Sequence, residues 1–415
     1  MREREMDVPL DQRTLDTRPV APARAAAARH ELDVVFVLNS LGLGGSERKI
    51  VRVANQLRAR GVRAGIASLN EPHTLARFID NEVPWWRLGR RGKFSLAAVK
   101  RLSAVIHRHR ARMLVAVNLY PALYVLAAAA LMRDARPRTV CMLNTSIVES
   151  RGLPWRTWLY RRLLPHFDRT VHGCDAQRAL WLRAGGRAWR RSTVIYNGVD
   201  LSEFRIEALP APVATLRAEL GIPSGRFVFG SVGRLAPEKN HAALIAALAR
   251  LAAAGLDAHL VIAGEGPERG SLERQAARLG LGNRLSLPGA MSDVRTVLGS
   301  LDVFVLPSTS IESFSNAALE AMAMARPVIL SAIGGAAEMV HDGVEGFVIP
   351  LAELDARLPP LLAALCADAQ RRARLGAAAR QRVEAKFSLA GMLDHYEALA
   401  VGGARGTFPC KNVST

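Results

Sequence analysis

The sequence predicts an α/β protein of two Rossmann-like domains, each with a parallel sheet, facing each other across a cleft. Three observations predict it. Short apolar runs alternate with stretches of helical periodicity through the first half; the alternation resumes near Phe227; and Tyr196-Asn-Gly-Val-Asp200, with its Asn-Gly turn signal, marks a crossing between the halves. A chain of 415 residues is long enough for two separate cores. No short repeat is present, which excludes a solenoid.

The elements follow in order. Residues 1–30 are charged and rich in Ala and Arg, and read as a disordered basic tail without the apolar stretch of a signal peptide. Val34–Leu38 is the first strand, ending in the turn Gly42-Leu-Gly-Gly-Ser-Glu47. Ser46 to Arg60 then places Ile50, Val53, Ala54 and Leu57 on one helical face. Further strands are predicted at Gly65–Leu69, Met113–Val117 and Val140–Leu143. The longest apolar run, Pro121 to Met132, is far short of the ~20 residues that span a bilayer. After the crossing, Pro210-Ala-Pro212 reads as a linker. Strands follow at Phe227–Val232, His259–Ala263, Leu285–Leu287, Val303–Leu306 and Val328–Leu330. A helix from Asn240 carries Leu244, Leu248 and Leu251, with Asn240 as its N-cap.

The chemistry concentrates in two stretches. Gly233-Arg-Leu-Ala-Pro-Glu-Lys-Asn240 holds Arg234 and Lys239 just after a predicted strand, and two fixed cations suit a diphosphate. Glu312-Ser-Phe-Ser-Asn-Ala-Ala-Leu-Glu320 holds two carboxylates, which suit the hydroxyls of a ribose and a sugar. The loop Glu312 to Asn316, with Phe314 and Ser315, leads into a helix from Asn316 to Ala325, whose first N–H groups suit phosphate. Together they describe a pocket for a nucleoside-diphosphate sugar. No Asp-x-Asp metal signature occurs, and Cys141, Cys174, Cys366 and Cys410 form no CxxC or Cys/His cluster. No metal or cofactor is therefore expected, and the thiols read as reduced.

In these stretches the chain resembles the retaining GT-B glycosyltransferases of family 4 (group 1). The resemblance also rests on Tyr196-Asn-Gly-Val-Asp200, Gly264-Glu-Gly-Pro267, Gly334-Gly335 with Glu338, and Gly44-Gly-Ser-Glu47, and runs from about Leu32 to about Leu399. It implies a disordered tail at 1–30, an acceptor-binding domain at 31–205, a donor-binding domain at 206–387, a helix returning to the first domain at 388–402, and a tail at 403–415. It also implies that Arg234 and Lys239 neutralise the leaving diphosphate without a metal, that Glu320 holds the ribose, that Glu312 contacts the donor sugar, and that the Gly44-Gly45 backbone faces the diphosphate. Arg234, Lys239 and Glu312 are thus the catalytic candidates. Phe314, Ser315, Asn316 and Glu320 complete the donor set. Many relatives carry a histidine where this chain has Asn144, which can hydrogen-bond but is no base near neutral pH. Asn144 is kept as a sugar or acceptor contact. Neither His166 nor His172 matches the motif, and the acceptor base stays unassigned.

Charge bears on the partner. The formal net charge is +19, with 35 basic against 16 acidic residues in 1–200, and 21 against 21 in 201–415. An excess confined to the first half suggests an anionic partner: a membrane surface, a lipid-linked phosphate or a nucleic acid. Two stretches there, 85–94 and 155–164, mix cations with aromatics, which suits a lipid interface and equally suits core aromatics beside surface arginines. The reading is therefore a cytoplasmic transferase of polysaccharide biosynthesis, peripheral on the inner face of the membrane. Its donor is a UDP- or GDP-linked sugar. Its acceptor is a glycan or a polyprenyl-diphosphate-linked glycan, with no nucleic acid expected. Two rivals stand beside it. One is a non-catalytic sugar-nucleotide-binding protein. The other is an NAD(P)-dependent oxidoreductase, against which both glycine fingerprints speak: Glu47 and Arg269 occupy the third glycine position.

Overall fold

The computed structural model describes residues 31–402, except 43, 133–135, 145–157, 160–161, 186–190, 210–212, 292 and 311. Two parallel sheets organise it. The first contains β1 (Val34–Leu38), β2 (Ala64–Ser68), β3 (Trp85–Arg87), β4 (Met113–Val117), β5 (Arg138–Leu143), β6 (Arg169–His172) and β7 (Ser192–Val194), in the order β3-β2-β1-β4-β5-β6-β7. The second contains β8 (Phe227–Val232), β9 (Ala258–Ala263), β10 (Leu285–Gly289), β11 (Val303–Leu306), β12 (Val328–Ser331) and β13 (Gly346–Ile349), in the order β10-β9-β8-β11-β12-β13. The pairings within both are parallel.

The central strands are buried along their whole length because helices cover both faces of each sheet, and this is why they read as unbroken apolar runs. β3, β6, β7 and β13 went unrecognised in the sequence. They are three or four residues long; β3, β7 and β13 are edge strands, and β3, β6 and β7 carry polar residues. Trp85 and Trp86 therefore belong to a sheet edge. Trp85 packs on His73 and Trp86 on His109.

The first helix, Gly45–Ala59, buries Ile50, Val51, Val53, Ala54 and Leu57, the face that the spacing predicts with Val51 added. The helix His241–Ala253 buries Leu244, Leu248 and Leu251. Asn240 precedes it, but its backbone is left-handed (φ 52°) and its side chain makes no cap hydrogen bond, so its predicted capping role is corrected. The helix from Asn316 ends at Ala323, two residues early, because Ala325 turns left-handed (φ 54°).

The last helix, Leu389–Val401, packs Leu389, Met392, Leu393, Tyr396 and Leu399 into the core of the first sheet, with Val34, Phe36 and Ile66. Its return runs beside the outward crossing: Val199 N donates to Phe387 O at 2.9 Å, and Leu389 N to Val199 O at 2.8 Å. Gly198 is needed there, since a Cβ would lie 2.5 Å from the Ser388 carbonyl oxygen. The predicted tails and the Pro210–Pro212 linker lie outside the described residues.

Strand order reverses between β1 and β4 in one sheet and between β8 and β11 in the other. In open α/β sheets the crevice at the carboxyl ends of such strands is where ligands bind.

Candidate functional site

The predicted residues gather at those two switch points. Gly44 and Gly45 follow β1, Asn144 follows β5, Arg234 and Lys239 follow β8, and Glu312 to Glu320 follow β11.

On the donor side, Lys239 is ion-paired with Glu312, with side chains 22% and 18% exposed. Ser308 Oγ donates to the same carboxylate at 3.4 Å. Arg234 is paired with Glu238 four residues on, and its side chain is 67% exposed. The loop that carries Glu312 is fixed from three directions. Gly335 N donates to Ser313 O at 2.7 Å. Gly334 lies in the left-handed region (φ 54°) with a notional Cβ 2.1 Å from Glu312 O, so only glycine lets the two loops touch. Phe314 is buried, its ring 5.0 Å from Tyr196 and 5.2 Å from Phe387.

Ser315 caps the following helix: its hydroxyl accepts from Ala318 N at 3.3 Å. Asn316 is the first helical residue and is exposed. Glu320 stands one turn further, half-buried and without a hydrogen-bond partner among the described residues. Burial pushes its carboxyl up to about 7, with Arg52 and Arg48 of the first helix pulling the other way.

On the facing side, Gly44 and Gly45 are exposed; among the described residues no side chain caps the helix they open, while the Glu47 carboxylate lies against Gly44, so an anion reaching the first N–H groups would have to displace it. Asn144 is held at its backbone by Asn118 Oδ1, which accepts from Asn144 N at 3.0 Å. Its carbonyl accepts from Ser313 Oγ at 3.1 Å. Its side-chain oxygen accepts from Lys49 Nζ at 2.5 Å, and Lys49 donates also to Asn197 Oδ1 at 3.2 Å. Asn197 Nδ2 donates to Phe314 O at 2.9 Å. Lys49 thus stands at the centre of contacts that tie the first domain to the Glu312–Asn316 loop. Burial alone pushes its ammonium down to about 8.

Glu338 ties the domains a second time. Its carboxylate accepts from Asp175 N at 2.8 Å and Ala176 N at 2.6 Å, where the helix Asp175–Gly185 begins, and from Tyr196 Oη at 2.8 Å. Lys49, Asn118, Ser313 and the roles of Tyr196 and Asn197 were not singled out in the sequence. The only available signal was a lysine shortly after the glycine turn, between Arg48 and Ile50. His172 is fully buried on β6 and pushed down to about 4, so it is neutral. His166 is exposed. Among the described residues no three His, Cys, Asp or Glu side chains converge as metal ligands.

The basic aromatic stretches lie elsewhere. Arg90 donates to Asn70 Oδ1 and Tyr120 Oη, and Phe94 is exposed while stacking on Tyr124. In the second stretch 155–157, 160 and 161 lie outside the described residues; Trp158 is 57% exposed, with the Arg162 guanidinium 4.8 Å from its ring.

Two doubly wound sheets with their switch points facing, cations and carboxylates on one side and a glycine-opened helix on the other, define the GT-B architecture of glycosyltransferases. Comparison with known proteins agrees. The model of the glycosyl transferases group 1 matches residues 213–382, and that of Glycosyltransferase Family 4 matches residues 43–203. A 2-deoxystreptamine N-acetyl-D-glucosaminyltransferase of Streptomyces fradiae is 29% identical over 406 residues, covering 88% of this chain and 93% of that enzyme. A 2-deoxystreptamine glucosyltransferase of Streptomyces kanamyceticus is 36% identical over 158 residues, 37% of this chain and 40% of that one. Among solved structures, Anabaena Alr3699/HepE in complex with UDP superposes with a TM-score of 0.77 at 24% identity, covering 88% of this chain and 98% of that one. The chain belongs to the group 1, family 4 glycosyltransferases with the GT-B fold. The oxidoreductase alternative falls with that assignment.

Proposed function

We propose that the protein transfers a hexose, with retention of configuration and without a metal, from a UDP- or GDP-linked donor to an acceptor held by the first domain. The observation that carries this reading is the single loop and helix after β11. It sets Glu312, paired with Lys239, and the unpartnered Glu320 along one wall of the cleft, opposite the uncapped N-terminus at Gly44-Gly45. Glu320 takes the ribose hydroxyls, the Gly45 helix and Arg234 with Lys239 take the diphosphate, and Glu312 takes sugar hydroxyls. Cleaving the sugar–phosphate bond builds negative charge on the leaving oxygens, and cations already in place lower the barrier. The UDP complex of the Anabaena structure and the hexosaminyl and glucosyl donors implied by the relatives' names support a UDP-linked hexose. With His172 neutral and buried, and Asn144 no base, the departing phosphate oxygen accepts the acceptor's proton.

For the acceptor, the excess charge of residues 1–200 favours an anionic group, a glycan on a polyprenyl diphosphate, at the inner membrane face. A small soluble aminocyclitol is the competing reading, favoured by the relatives' names. The basic first half weighs against a cationic acceptor. No helix among the described residues is long and apolar enough to cross a membrane, so membrane contact would be through the surface.

A thermal-shift panel of UDP-, GDP- and ADP-sugars identifies the donor, because a ligand that binds the folded state raises the melting point by mass action. Nucleotide release from the stabilising sugar then separates an enzyme from a binder. No shift with any member overturns the donor assignment, and a shift without release leaves the non-catalytic reading.

A further inference from the structure

Lys49 and Asn144 meet in a way that neither residue type explains alone. Lys49 Nζ lies 2.5 Å from Asn144 Oδ1 and 3.2 Å from Asn197 Oδ1, and it has no ion-pair partner among the described residues. An ammonium has three donors and no acceptor, whereas an amide can turn either its oxygen or its NH2 toward a neighbour. Lys49 therefore fixes both amides: the oxygens must face it. For Asn197 this directs Nδ2 to the Phe314 carbonyl. For Asn144 it directs Nδ2 away, and that nitrogen is buried with no hydrogen-bond partner among the described residues. A buried orphan NH2 is costly and rare, and one at a strand end in a ligand cleft is suited to an acceptor on a bound ligand. Its backbone is pinned by Asn118 and Ser313, so it cannot drift to find another.

We infer that Lys49 is the positioning residue that holds the Asn144 amide with its NH2 turned toward an oxygen of the transferring sugar, to which Asn144 donates. This rests on the proposed transfer reaction for its consequence, and on the geometry alone for its orientation. It also gives Asn144 a task suited to its chemistry: offering N–H groups, not removing a proton. Orientation by a cation carries a limit in pH. Once Lys49 loses its proton it gains a lone pair, can accept from Nδ2, and no longer dictates which way the amide points. Burial brings that loss to about 8. The titratable groups on the surrounding elements are Glu47, Arg48 and Arg52 on the first helix, His172 beside β5, Tyr196 before Asn197, and Glu312 with Lys239 in the donor loop. The shift comes from burial and not from these charges.

The test uses the full chain with UDP-glucose as donor probe, and UDP alone for affinity. Lys49→Met keeps the apolar stem but removes the donors; Lys49→Arg keeps a donor-only cation. Losing one preorganised donor to a reacting centre costs on the order of 100-fold. Lys49→Met and Asn144→Ala should each lower kcat on that order with UDP affinity within about twofold of the parent. Lys49→Arg should recover much of the loss and remove the fall in kcat above pH 8. The double variant should be no slower than Asn144→Ala, because residues acting through one another do not add. A Lys49→Met enzyme with near-parental kcat, an additive double variant, or a UDP affinity that falls in step with kcat would overturn the inference, the last by making Lys49 a plain phosphate contact. One readout needs no turnover and so stands apart from the proposed reaction. The Asn144 side-chain NH2 signal, assigned by its loss in Asn144→Ala, should titrate near pH 8 in the parent and not in Lys49→Met. An NH2 signal indifferent to pH and to Lys49→Met refutes the orientation even if the protein transfers no sugar.

Discussion

Replacing Glu320 with Gln should make the donor-free protein more stable at pH 8 and weaken its hold on UDP. The carboxyl is half-buried, makes no hydrogen bond, and is raised from its ordinary 4.5 to about 7 by burial, Arg52 and Arg48 offsetting part of that. The folded chain thus holds this proton more tightly than the unfolded chain. The group's contribution to stability is whole below pH 4.5 and is lost as pH rises through about 7. At about 1.4 kcal/mol per pH unit, the ionised carboxylate costs about 3 kcal/mol above pH 7, an upper figure because water reaching it screens part of the penalty. Gln is neutral throughout and nearly isosteric. At roughly 2–4 °C per kcal/mol, its melting point should rise by about 5–10 °C at pH 8 and hardly at all at pH 4.5. Scanning fluorimetry at the two pH values reads this, and calorimetry with UDP alone reads the cost: ribose hydroxyls would satisfy the bare carboxylate, and they lose that acceptor. An equal shift at both pH values, or a lower melting point at pH 8, would refute the account of an isolated, desolvated carboxylate. Unchanged UDP affinity would refute the ribose role.

Arg234→Ala and Lys239→Ala should each cut kcat on the order of 100-fold with the fold intact by circular dichroism; near-parental turnover in both would remove the diphosphate assignment. Gly198→Ala forces a Cβ to 2.5 Å from a backbone oxygen and should destabilise by about 1–3 kcal/mol, read as a lower midpoint in urea. Sugar transfer should survive EDTA, and a complete loss restored by a divalent cation would show that Arg234 and Lys239 do not carry the charge alone. The chain should co-sediment with anionic vesicles at low salt and leave neutral ones in solution, salt releasing it because exposed charges are screened within about 10 Å at 0.1 M. Equal binding to both vesicle types would end the membrane reading of the first half.

The parallel sheets were legible because burial on both faces demands unbroken apolar runs, and Val34–Leu38, Met113–Val117 and Val303–Leu306 show them residue for residue. The strands that escaped notice are too short or too polar to show such a run. Trp85–Arg87 is only half covered, and Arg169–His172, though mostly buried, has Val171 as its one apolar residue. In the site, what could be read was charge at a strand end: Arg234, Lys239, Glu312 and Glu320. What could not be read was pairing. Nothing in the spacing says that Lys239 meets Glu312 seventy-three positions on, or that Lys49 reaches Asn144 and Asn197 from another element. Lys49 itself was hidden by its neighbours. In a helix that also carries Arg48 and Arg52, one more cation looks like solvated surface, and only the fold shows it turned inward.

The cations of the cleft already have partners, and this bears on how the cleft would take a diphosphate. Arg234 leans on Glu238, Lys239 on Glu312, and Lys49 on two neutral amides. The Arg234 pair is mostly in water, where such pairs contribute about 1 kcal/mol or less, so an arriving phosphate would draw Arg234 away at little cost. The Lys239–Glu312 pair is about four-fifths covered on each side, and parting those charges would leave a poorly solvated carboxylate behind. Lys239 should therefore remain beside Glu312 and offer its remaining N–H donors to the phosphate, while Glu312 offers its remaining lone pairs to the sugar. The pair would then span the bond to be broken, one member on each side, whereas Arg234 would be the mobile cation that closes over the diphosphate. Lys239→Ala accordingly removes a phosphate contact and unsettles the sugar contact together. It should cost more in kcat than Arg234→Ala, and Glu312→Ala should add little to it.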